Sequence, residues 1–151
     1  MIQTIEKDIL AVEKGIILHC CNCIGGFGGL AGKIGQKWPN VREEYLKLIE
    51  RSMARPWELL GKIQVVQTPD PDLFVVNMFT QFDIGMKDGR KTEYSAVQQC
   101  LERVNSLALI QEMDIHLPYT MGCGLGGGDW SIIEAIIHNA FLTANVNICK
   151  I

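Results

Sequence analysis

Gly122-Cys123-Gly124-Leu125-Gly126-Gly127-Gly128-Asp129 is a glycine-rich stretch that separates a strand-like run, residues 115–119, from a helix-like run that begins near Trp130. Glycine is used where the backbone needs a positive φ, or where a ligand must approach the main chain. A glycine loop between a strand and the N-terminus of a helix gathers backbone N–H groups at the positive end of the helix dipole. The stretch therefore predicts a phosphate-binding loop, and the alternative is a mobile surface loop.

A second loop of the same kind, Gly25-Gly26-Phe27-Gly28-Gly29, follows a strand-like run at residues 15–22 and leads into a helix pattern from Leu30 onward. In α/β proteins such loops meet at the carboxyl ends of the strands. The two loops could therefore converge on one ligand that carries two phosphates. Neither loop has the terminal Lys-Ser/Thr of a Walker motif, and neither makes a convincing Rossmann fingerprint.

The length and charge of the chain limit the kinds of protein that it can be. At 151 residues it is expected to form a single domain, residues 1–151, with a core of its own. A formal charge of -3 argues against a general nucleic-acid binder, which would carry a basic face. No apolar run approaches the ~18 residues of a membrane span, and the first residues lack the pattern of a signal peptide. We therefore expect a cytoplasmic protein that does not associate with membranes.

The cysteines predict free thiols rather than disulfides or a zinc site. Three of the six, Cys20, Cys21 and Cys23, fall in or beside one predicted strand, where adjacent side chains point to opposite faces. Without a secretory signal, free buried thiols are the expected state. Cys20 and Cys23 form a CxxC, but no second pair of ligands has suitable spacing for zinc. Neither a metal nor a cofactor is expected.

Strand and helix patterns alternate along the chain. Strands are predicted at residues 2–5, 15–22, 62–68, 73–80, 114–119 and 146–151, and helices at residues 30–37, from Pro39, near Ser95 and from Trp130. Ser95 and Gln98 can form a capping box, unless the third helix begins earlier. Asp129 stands at the N-cap position of the last helix. This alternation predicts an α/β fold with a mixed, largely parallel sheet covered by helices on both faces.

The residues around the two loops resemble the macro-domain family. His19-Cys20-Cys21-Asn22-Cys23 with the glycine loop that follows, and then Trp38-Pro39, are similar to the first signature of that family. Leu117-Pro118, Gly122-Cys123-Gly124-Leu125 and Trp130 are similar to its second, phosphate-binding loop. The resemblance covers nearly the whole chain and is greatest to the branch that contains fungal ADP-ribose 1″-phosphate phosphatases and related phage and bacterial proteins. It implies a three-layer α/β/α fold and an ADP-ribose cleft.

The resemblance also implies which residues bind the ligand. Asp8 would accept a hydrogen bond from the adenine amino group, and the two loops would enclose the diphosphate and the distal ribose. The implied ligand-binding residues are Asp8, Ile9, Asn22, Gly25, Phe27, Gly28, Gly29, Leu30, Ala31, Thr80, Gln81, Met121, Gly122, Cys123, Gly124, Leu125, Gly126, Gly127 and Gly128. Structural roles are the alternatives for four of them: an exposed turn acid for Asp8, a satisfied strand-end amide for Asn22, core packing for Phe27, and core lining for Met121.

His19 and Asp129 are the candidate catalytic residues. The phosphatase branch carries a histidine at the position of His19, and imidazole can act as a base or as an acid at neutral pH. The alternative for His19 is a hydrogen-bonded core residue, and Asp129 is equally consistent with a helix cap. Cys23 and Cys123 lie near enough to the loops to be rival nucleophiles.

Three functions are compatible with these residues. The leading hypothesis is removal of the terminal phosphate from ADP-ribose 1″-phosphate, and the alternative is a non-catalytic module that binds or sequesters ADP-ribose or a signal derived from it. A glycohydrolase is less favoured, because related glycohydrolases carry an Asp where this chain has Gly126. They also carry a Lys near the strand end at Thr80, where the nearest lysine here is Lys87. Residues 148–151 lack the aromatic that many family members place near adenine.

Overall fold

The computed structural model describes residues 1–83 and 90–151 of the chain. Lys87 therefore lies outside the described residues. The main elements, in chain order, are β1 (Ile2–Glu6), β2 (Gly15–Cys21), α1 (Gly29–Lys37), α2 (Pro39–Arg51), β3 (Ile63–Gln67), β4 (Leu73–Phe79), α3 (Tyr94–Gln111), β5 (Ile115–Pro118), α4 (Trp130–Ala140) and β6 (Val146–Lys150). Short 3-10 helices occupy Ile9–Ala11 and Pro56–Leu59.

The described strands form one six-stranded sheet in the order β1-β6-β5-β2-β4-β3. Neighbouring strands are parallel, except that β3 and β4 are antiparallel. The turn between β3 and β4 is short enough to join antiparallel strands, whereas a parallel pair needs a longer crossover. The prediction of a mixed, largely parallel sheet is confirmed.

Helices cover both faces of the sheet, which gives three layers. Successive strand residues point to opposite faces, and β2 shows the consequence. Ile16 packs in a buried cluster with residues of α3 and α4, whereas Ile17 packs in a second cluster with residues of α1 and α2. A strand that is buried on both faces reads as a continuous apolar run, as Ile16, Ile17 and Leu18 do. The α/β/α arrangement is confirmed.

The helices begin at or within one residue of the predicted starts: α2 begins at Pro39 and α4 at Trp130, and α1 begins at Gly29, one residue early. Asp129 caps α4, because its side chain accepts a hydrogen bond from the Ser131 amide. The capping box at Ser95 does not form, and the alternative of an earlier start is confirmed: α3 begins at Tyr94, and Glu93 holds the N-cap position without a side-chain bond. Val97, Leu101, Val104 and Ala108 do form the buried stripe of α3, as their helical spacing predicts.

Two further features concern the state of the cysteines and the character of the helices. All six cysteines are free thiols. Among the described residues, no helix has both the length and the apolar character that crossing a membrane would require.

Candidate functional site

A cleft opens where β2 and β5 separate. The β2–β5 ladder joins Ile16 to Ile115 and Ile17 to His116, and it goes no further. On its other side, β2 remains paired with β4 along its whole length, from Gly15 to Cys21. The carboxyl ends of β2 and β5 are therefore free to lead their two glycine loops apart. Ligands of α/β proteins bind at this place, outside the carboxyl ends of the strands.

The cleft has a volume of about 670 Å³, within the range of about 300–1,000 Å³ that is usual for small-molecule sites. Both glycine loops line it. The expected site residues that line the cleft are His19, Asn22, Phe27, Gly28, Gly29, Leu30, Ala31, Gln81, Met121, Gly122, Gly124, Leu125 and Gly126. The expected site residues outside its lining are Asp8, Ile9, Gly25, Thr80, Cys123, Gly127, Gly128 and Asp129.

The structure adds lining residues that the sequence analysis did not select. They are Cys20, Cys21, Gly26, Pro118, Tyr119 and Thr120. All six fall within or beside the two stretches that contain the glycine loops, so position relative to the loops was the available signal. Tyr119 is an aromatic side chain at the cleft. Its ring lies 5.2 Å from the Trp130 ring and 4.5 Å from Lys150 Nζ.

The first loop is held by Asn22 and by Tyr45 of α2. Asn22 Oδ1 accepts hydrogen bonds from the amides of Ile24 and Gly26, at 3.1 and 3.0 Å, and its Nδ2 donates to the Gly26 carbonyl at 2.7 Å. The buried Tyr45 hydroxyl lies 2.9 Å from Asn22 Oδ1 and accepts from the Gly25 amide at 3.1 Å. Asn22 thus has the structural role of a satisfied strand-end amide, although it also lines the cleft.

Phe27 combines the two roles that its position allowed. It lines the cleft, and its ring also packs against two side chains behind the loop. The ring centroid lies 4.7 Å from that of Tyr45 and 5.6 Å from that of His19. The side chain is therefore a wall of the site that is itself supported by the core.

The second loop is held by residues 91 and 92, which the sequence analysis did not identify. The amides of Lys91 and Thr92 donate to the Gly126 carbonyl at 2.8 and 3.0 Å. The fully buried Thr92 hydroxyl donates to the Gly122 carbonyl at 2.8 Å. A Cβ at Gly126 would meet Thr92 Oγ1 at 2.2 Å, so this glycine is needed for close approach. No sequence signal marked Thr92, because its importance comes from a contact 30 residues away along the chain.

Main-chain amides of both loops are available to a ligand. Within residues 1–83 and 90–151, the amides of residues 27–31 donate to no acceptor, and neither do those of residues 124–126. The first group covers the N-terminus of α1, where helix geometry leaves the first amides unpaired. All of these residues line the cleft. Unpaired amides at a helix N-terminus and in a glycine loop form a site suited to anions.

The described lining contains no Lys, Arg, Asp or Glu. Burial favours the neutral forms of the histidine and cysteine side chains in this lining, because it shifts the pKa of each toward the neutral form. Burial lowers the pKa of His19 to about 4, although a hydrogen bond with Asn77 acts in the opposite direction. Burial likewise raises the pKa of Cys20 to about 11. Negative charge on a ligand would therefore meet backbone dipoles rather than charged side chains of these residues.

The rival nucleophiles are protonated at neutral pH. Burial raises the pKa of Cys23 to about 11, and burial together with the nearby Asp129 raises that of Cys123. A thiol must ionise to act as a nucleophile, so this environment opposes such a role for either cysteine.

Asp129 and Asp8 both serve as helix caps. Asp129 Oδ1 accepts from the Ser131 amide at 2.9 Å and from the Ser131 hydroxyl at 2.7 Å. The side-chain and backbone hydrogen bonds from Ser131 lower the pKa of the Asp129 carboxyl, which keeps it ionised and opposes a role as an acid. Asp8 caps the 3-10 helix that follows it, because Oδ1 accepts from the Leu10 amide at 2.9 Å.

Curated sequences similar to this chain include two that align with 91% of it. An uncharacterised 17.5 kDa protein of Enterobacteria phage T4 is 29% identical over 147 residues, which are 91% of this chain and 88% of the phage protein. An ADP-ribose 1″-phosphate phosphatase of Candida albicans is 23% identical over 150 residues, 91% of this chain and 92% of that enzyme. No protein-family model matches the sequence.

Solved structures share the fold. A Thermosipho africanus DarTG structure in complex with ADP-ribose has a TM-score of 0.78 at 17% identity, with 97% of this chain and 40% of that one covered. A macrodomain protein from Streptomyces coelicolor has a TM-score of 0.83 at 31% identity, with 100% of this chain and 99% of that one covered. With this identity over the full length of both proteins, and with both signature loops at one cleft, the chain belongs to the macrodomain family.

Proposed function

We propose that this macrodomain binds ADP-ribose, or a small molecule derived from it, in the cleft between the two glycine loops. The observation that carries the proposal is the pairing of two groups of unbonded amides, residues 27–31 and residues 124–126, on one cleft. Two such groups match a diphosphate, which presents acceptor oxygens on two adjacent phosphorus atoms. The Thermosipho africanus DarTG structure, which has the same fold and is in complex with ADP-ribose, supports this choice of ligand.

Calorimetric titration with ADP-ribose and with AMP tests the proposal. AMP carries one phosphate, so its binding would leave the amides of one loop to water. We therefore expect ADP-ribose to bind more tightly than AMP. Equal affinities for the two ligands would contradict the two-loop model.

Gly124 offers a way to block the cleft without disturbing the fold. A Cβ at this position would meet no atom within 4 Å, so the space that it faces is available to a ligand. Gly124→Val should abolish ADP-ribose binding while the urea midpoint of unfolding stays at the wild-type value. Normal binding by a folded Gly124→Val would show that the ligand does not contact the second loop there.

A phosphatase is the second candidate function. The Candida albicans relative, an ADP-ribose 1″-phosphate phosphatase, aligns along nearly all of both chains. In this hypothesis the loop amides would stabilise charge on the transferred phosphoryl group, and His19 would accept a proton from the attacking water. Asp129 is the other candidate catalytic residue, and Thr80 and Cys123 are proposed to contribute to the same site.

Phosphate release from ADP-ribose 1″-phosphate tests this second function. His19→Ala should reduce the rate by at least the ~10²-fold that loss of a general base costs, while Cys23→Ser and Cys123→Ser should retain most activity. Asp129→Asn keeps a capping side chain, so a loss of activity in that variant would indicate a chemical role for Asp129. Tight ADP-ribose binding without any phosphate release by the wild type would favour the non-catalytic module.

A further inference from the structure

A line of polar side chains runs from the cleft to the outer edge of the sheet. His19 of β2 lies opposite Asn77 of β4, and Asn77 lies opposite Gln64 of β3. His19 Nε2 is 2.5 Å from Asn77 Oδ1, and Asn77 Nδ2 donates to Gln64 Oε1 at 3.0 Å. Gln64 Nε2 donates in turn to the Glu44 carbonyl of α2 at 2.9 Å. Three strands and one helix therefore contribute to a single hydrogen-bonded chain.

The Glu44 carbonyl, at the outer end of this series of hydrogen bonds, determines the direction of every bond in the series. The Glu44 carbonyl can only accept, so the amide nitrogen of Gln64 must face it and the amide oxygen of Gln64 must face Asn77. That oxygen requires the nitrogen of Asn77, which turns the Asn77 oxygen toward His19. An amide oxygen can only accept, so His19 Nε2 must carry a proton. The assignment follows from the hydrogen-bond network, as amide and imidazole assignments generally do.

We infer that Asn77 and Gln64 are positioning residues that hold His19 as a neutral imidazole with its proton on Nε2, which leaves Nδ1 as an acceptor. The surroundings of the ring agree with this state. His19 and Asn77 are 2% and 0% exposed, and the Phe27 ring packs edge-on to the imidazole. Among the described residues, the titratable group within hydrogen-bonding range is the Cys21 thiol, whose Sγ lies 3.7 Å from Nε2 and 3.9 Å from Nδ1. A thiol can donate weakly to Nδ1 or accept weakly from Nε2, so it is compatible with this tautomer.

The inference deepens the proposed function and rests on it where the ligand is concerned. A neutral imidazole with a lone pair on Nδ1, where the thiol is at most a weak donor, accepts a hydrogen bond from a hydroxyl group or from water. It does not attract a phosphate oxygen, which has no proton to donate. The part of the cleft beside His19 is therefore suited to a ribose-type hydroxyl or to an attacking water. If the protein is a phosphatase, the proton for the leaving oxygen must come from another group.

Nitrogen-15 NMR of the imidazole rings in the full chain tests the inference directly. Long-range correlations from the carbon-bound ring protons distinguish a protonated from an unprotonated nitrogen. We expect His19 to be protonated at Nε2 alone between pH 5.5 and 8, with its signals identified by their loss in His19→Gln. His116 is an internal reference, because its Nε2 faces the Lys14 carbonyl at 3.1 Å and its Nδ1 lies 3.4 Å from Asn147 Nδ2. A wild-type His19 that is protonated at Nδ1, or at both nitrogens at pH 7, would overturn the inference.

Two variants separate positioning from simple packing. Gln64→Leu removes the group that orients the Asn77 amide, so His19 should change from one tautomer to a mixture. Asn77→Asp keeps an acceptor opposite Nε2 and adds a negative charge, so the Nε2 proton should remain and the pKa of His19 should rise. A single unchanged tautomer in Gln64→Leu would overturn the role of Gln64, and an unchanged His19 titration in Asn77→Asp would overturn that of Asn77. Unchanged His116 signals show that each variant is folded, and the wild-type spectrum tests the inference even if a variant does not fold.

The failure of this inference can be told apart from failure of the proposed function. The wild-type tautomer is measured without ligand, whereas ADP-ribose binding is measured by calorimetry on the same sample. Binding with the wrong tautomer would overturn only the positioning roles of Asn77 and Gln64. The expected tautomer without binding would overturn only the proposed ligand.

Discussion

At the scale of single residues, Asp8 has a structural partner that complicates the test of its proposed adenine contact. Its carboxylate caps the Leu10 amide, so Asp8→Ala removes a helix cap as well as a candidate ligand contact. Loss of a cap costs about 0.5–2 kcal/mol of stability. Asp8→Asn keeps the capping oxygen but removes the charge and the second acceptor.

We therefore predict that Asp8→Asn weakens ADP-ribose binding without lowering the free energy of unfolding. A hydrogen bond to a charged group contributes about 1.5–3 kcal/mol, which corresponds to a loss of roughly tenfold to a hundredfold in affinity. Calorimetry and urea unfolding on Asp8→Asn and Asp8→Ala measure the two effects separately. An unchanged dissociation constant in both variants would leave Asp8 as an exposed turn acid.

The buried His19 should make stability depend on pH. Its pKa is about 4 in the folded protein, whereas an unfolded histidine has a pKa of about 6.5. Between these values the unfolded chain binds a proton that the folded chain does not, so stability falls as the pH falls from 6.5 to 4. At 1.36 kcal/mol per pKa unit, His19 should cost roughly 2–3 kcal/mol by pH 4.5.

His19→Gln provides the comparison for this prediction. Glutamine stays neutral and can still donate to Asn77, while the contributions of His116 and of the carboxylates remain in both proteins. Urea unfolding measures the loss of stability between pH 7 and pH 4.5. That loss should be smaller in His19→Gln than in the wild type by roughly 2–3 kcal/mol. Equal losses in the two proteins would mean that His19 titrates normally in the fold.

At the scale of elements, each glycine loop depends on a side chain from another part of the chain. Tyr45 of α2 holds the first loop, and Thr92, just before α3, holds the second. Glycine residues give a loop many accessible conformations, and ordering them costs backbone entropy. The external anchors limit that freedom before the ligand arrives, which reduces the entropy that binding must overcome.

Thr92→Val should weaken ADP-ribose binding, whereas Thr68→Val should leave that binding unchanged although it also lowers stability. The substitution nearly preserves shape but removes the hydrogen bond to the Gly122 carbonyl. Thr68→Val is the control, because the buried Thr68 hydroxyl lies in the β3–β4 turn, 3.0 Å from the Leu73 carbonyl, and accepts from the Asp70 amide at 3.2 Å. Each variant leaves at least one buried group unsatisfied, which costs about 1–3 kcal/mol of the free energy of unfolding per group. If both bind ADP-ribose equally well, Thr92 does not organise the loop for binding.

At the scale of the whole molecule, the cleft exists because one sheet carries both loops. β2 and β5 are neighbours in the sheet, but residues 22–114 lie between them in the sequence. A ligand that touches both loops therefore bridges distant parts of the chain, and binding it should stabilise the whole domain.

ADP-ribose should accordingly raise the melting temperature. A ligand that binds only the folded state contributes about 2.7 kcal/mol when present at 100 times its dissociation constant. For a chain of this size, each kcal/mol corresponds to roughly 2–4 °C, so an upward shift of about 5–10 °C is expected at that concentration. AMP at the same concentration should give a smaller shift because it binds less tightly. Equal shifts by differential scanning fluorimetry would contradict contact with both loops.

The sequence by itself determined the order of the elements, the alternation that gives a layered α/β fold, and the two loops that line the cleft. These features are local, since the apolar pattern of a strand or helix and the glycines of a loop can be recognised within short windows. At Ser95 the sequence left two starts for α3 open, because a capping motif is only a local preference, and in the structure the helix begins at the earlier one, Tyr94.

The tertiary structure alone decided how the loops are held and which protonation states the site contains. The hydrogen bond from Thr92 to Gly122 joins residues 30 positions apart, and the hydrogen bonds that link Glu44 to His19 join residues 13 to 58 positions apart. No periodicity marks such pairs, because they form only when distant elements pack together. The same packing removes water from His19 and lowers its pKa, so a histidine that was compatible with acid or base chemistry in the sequence becomes a neutral acceptor in the fold.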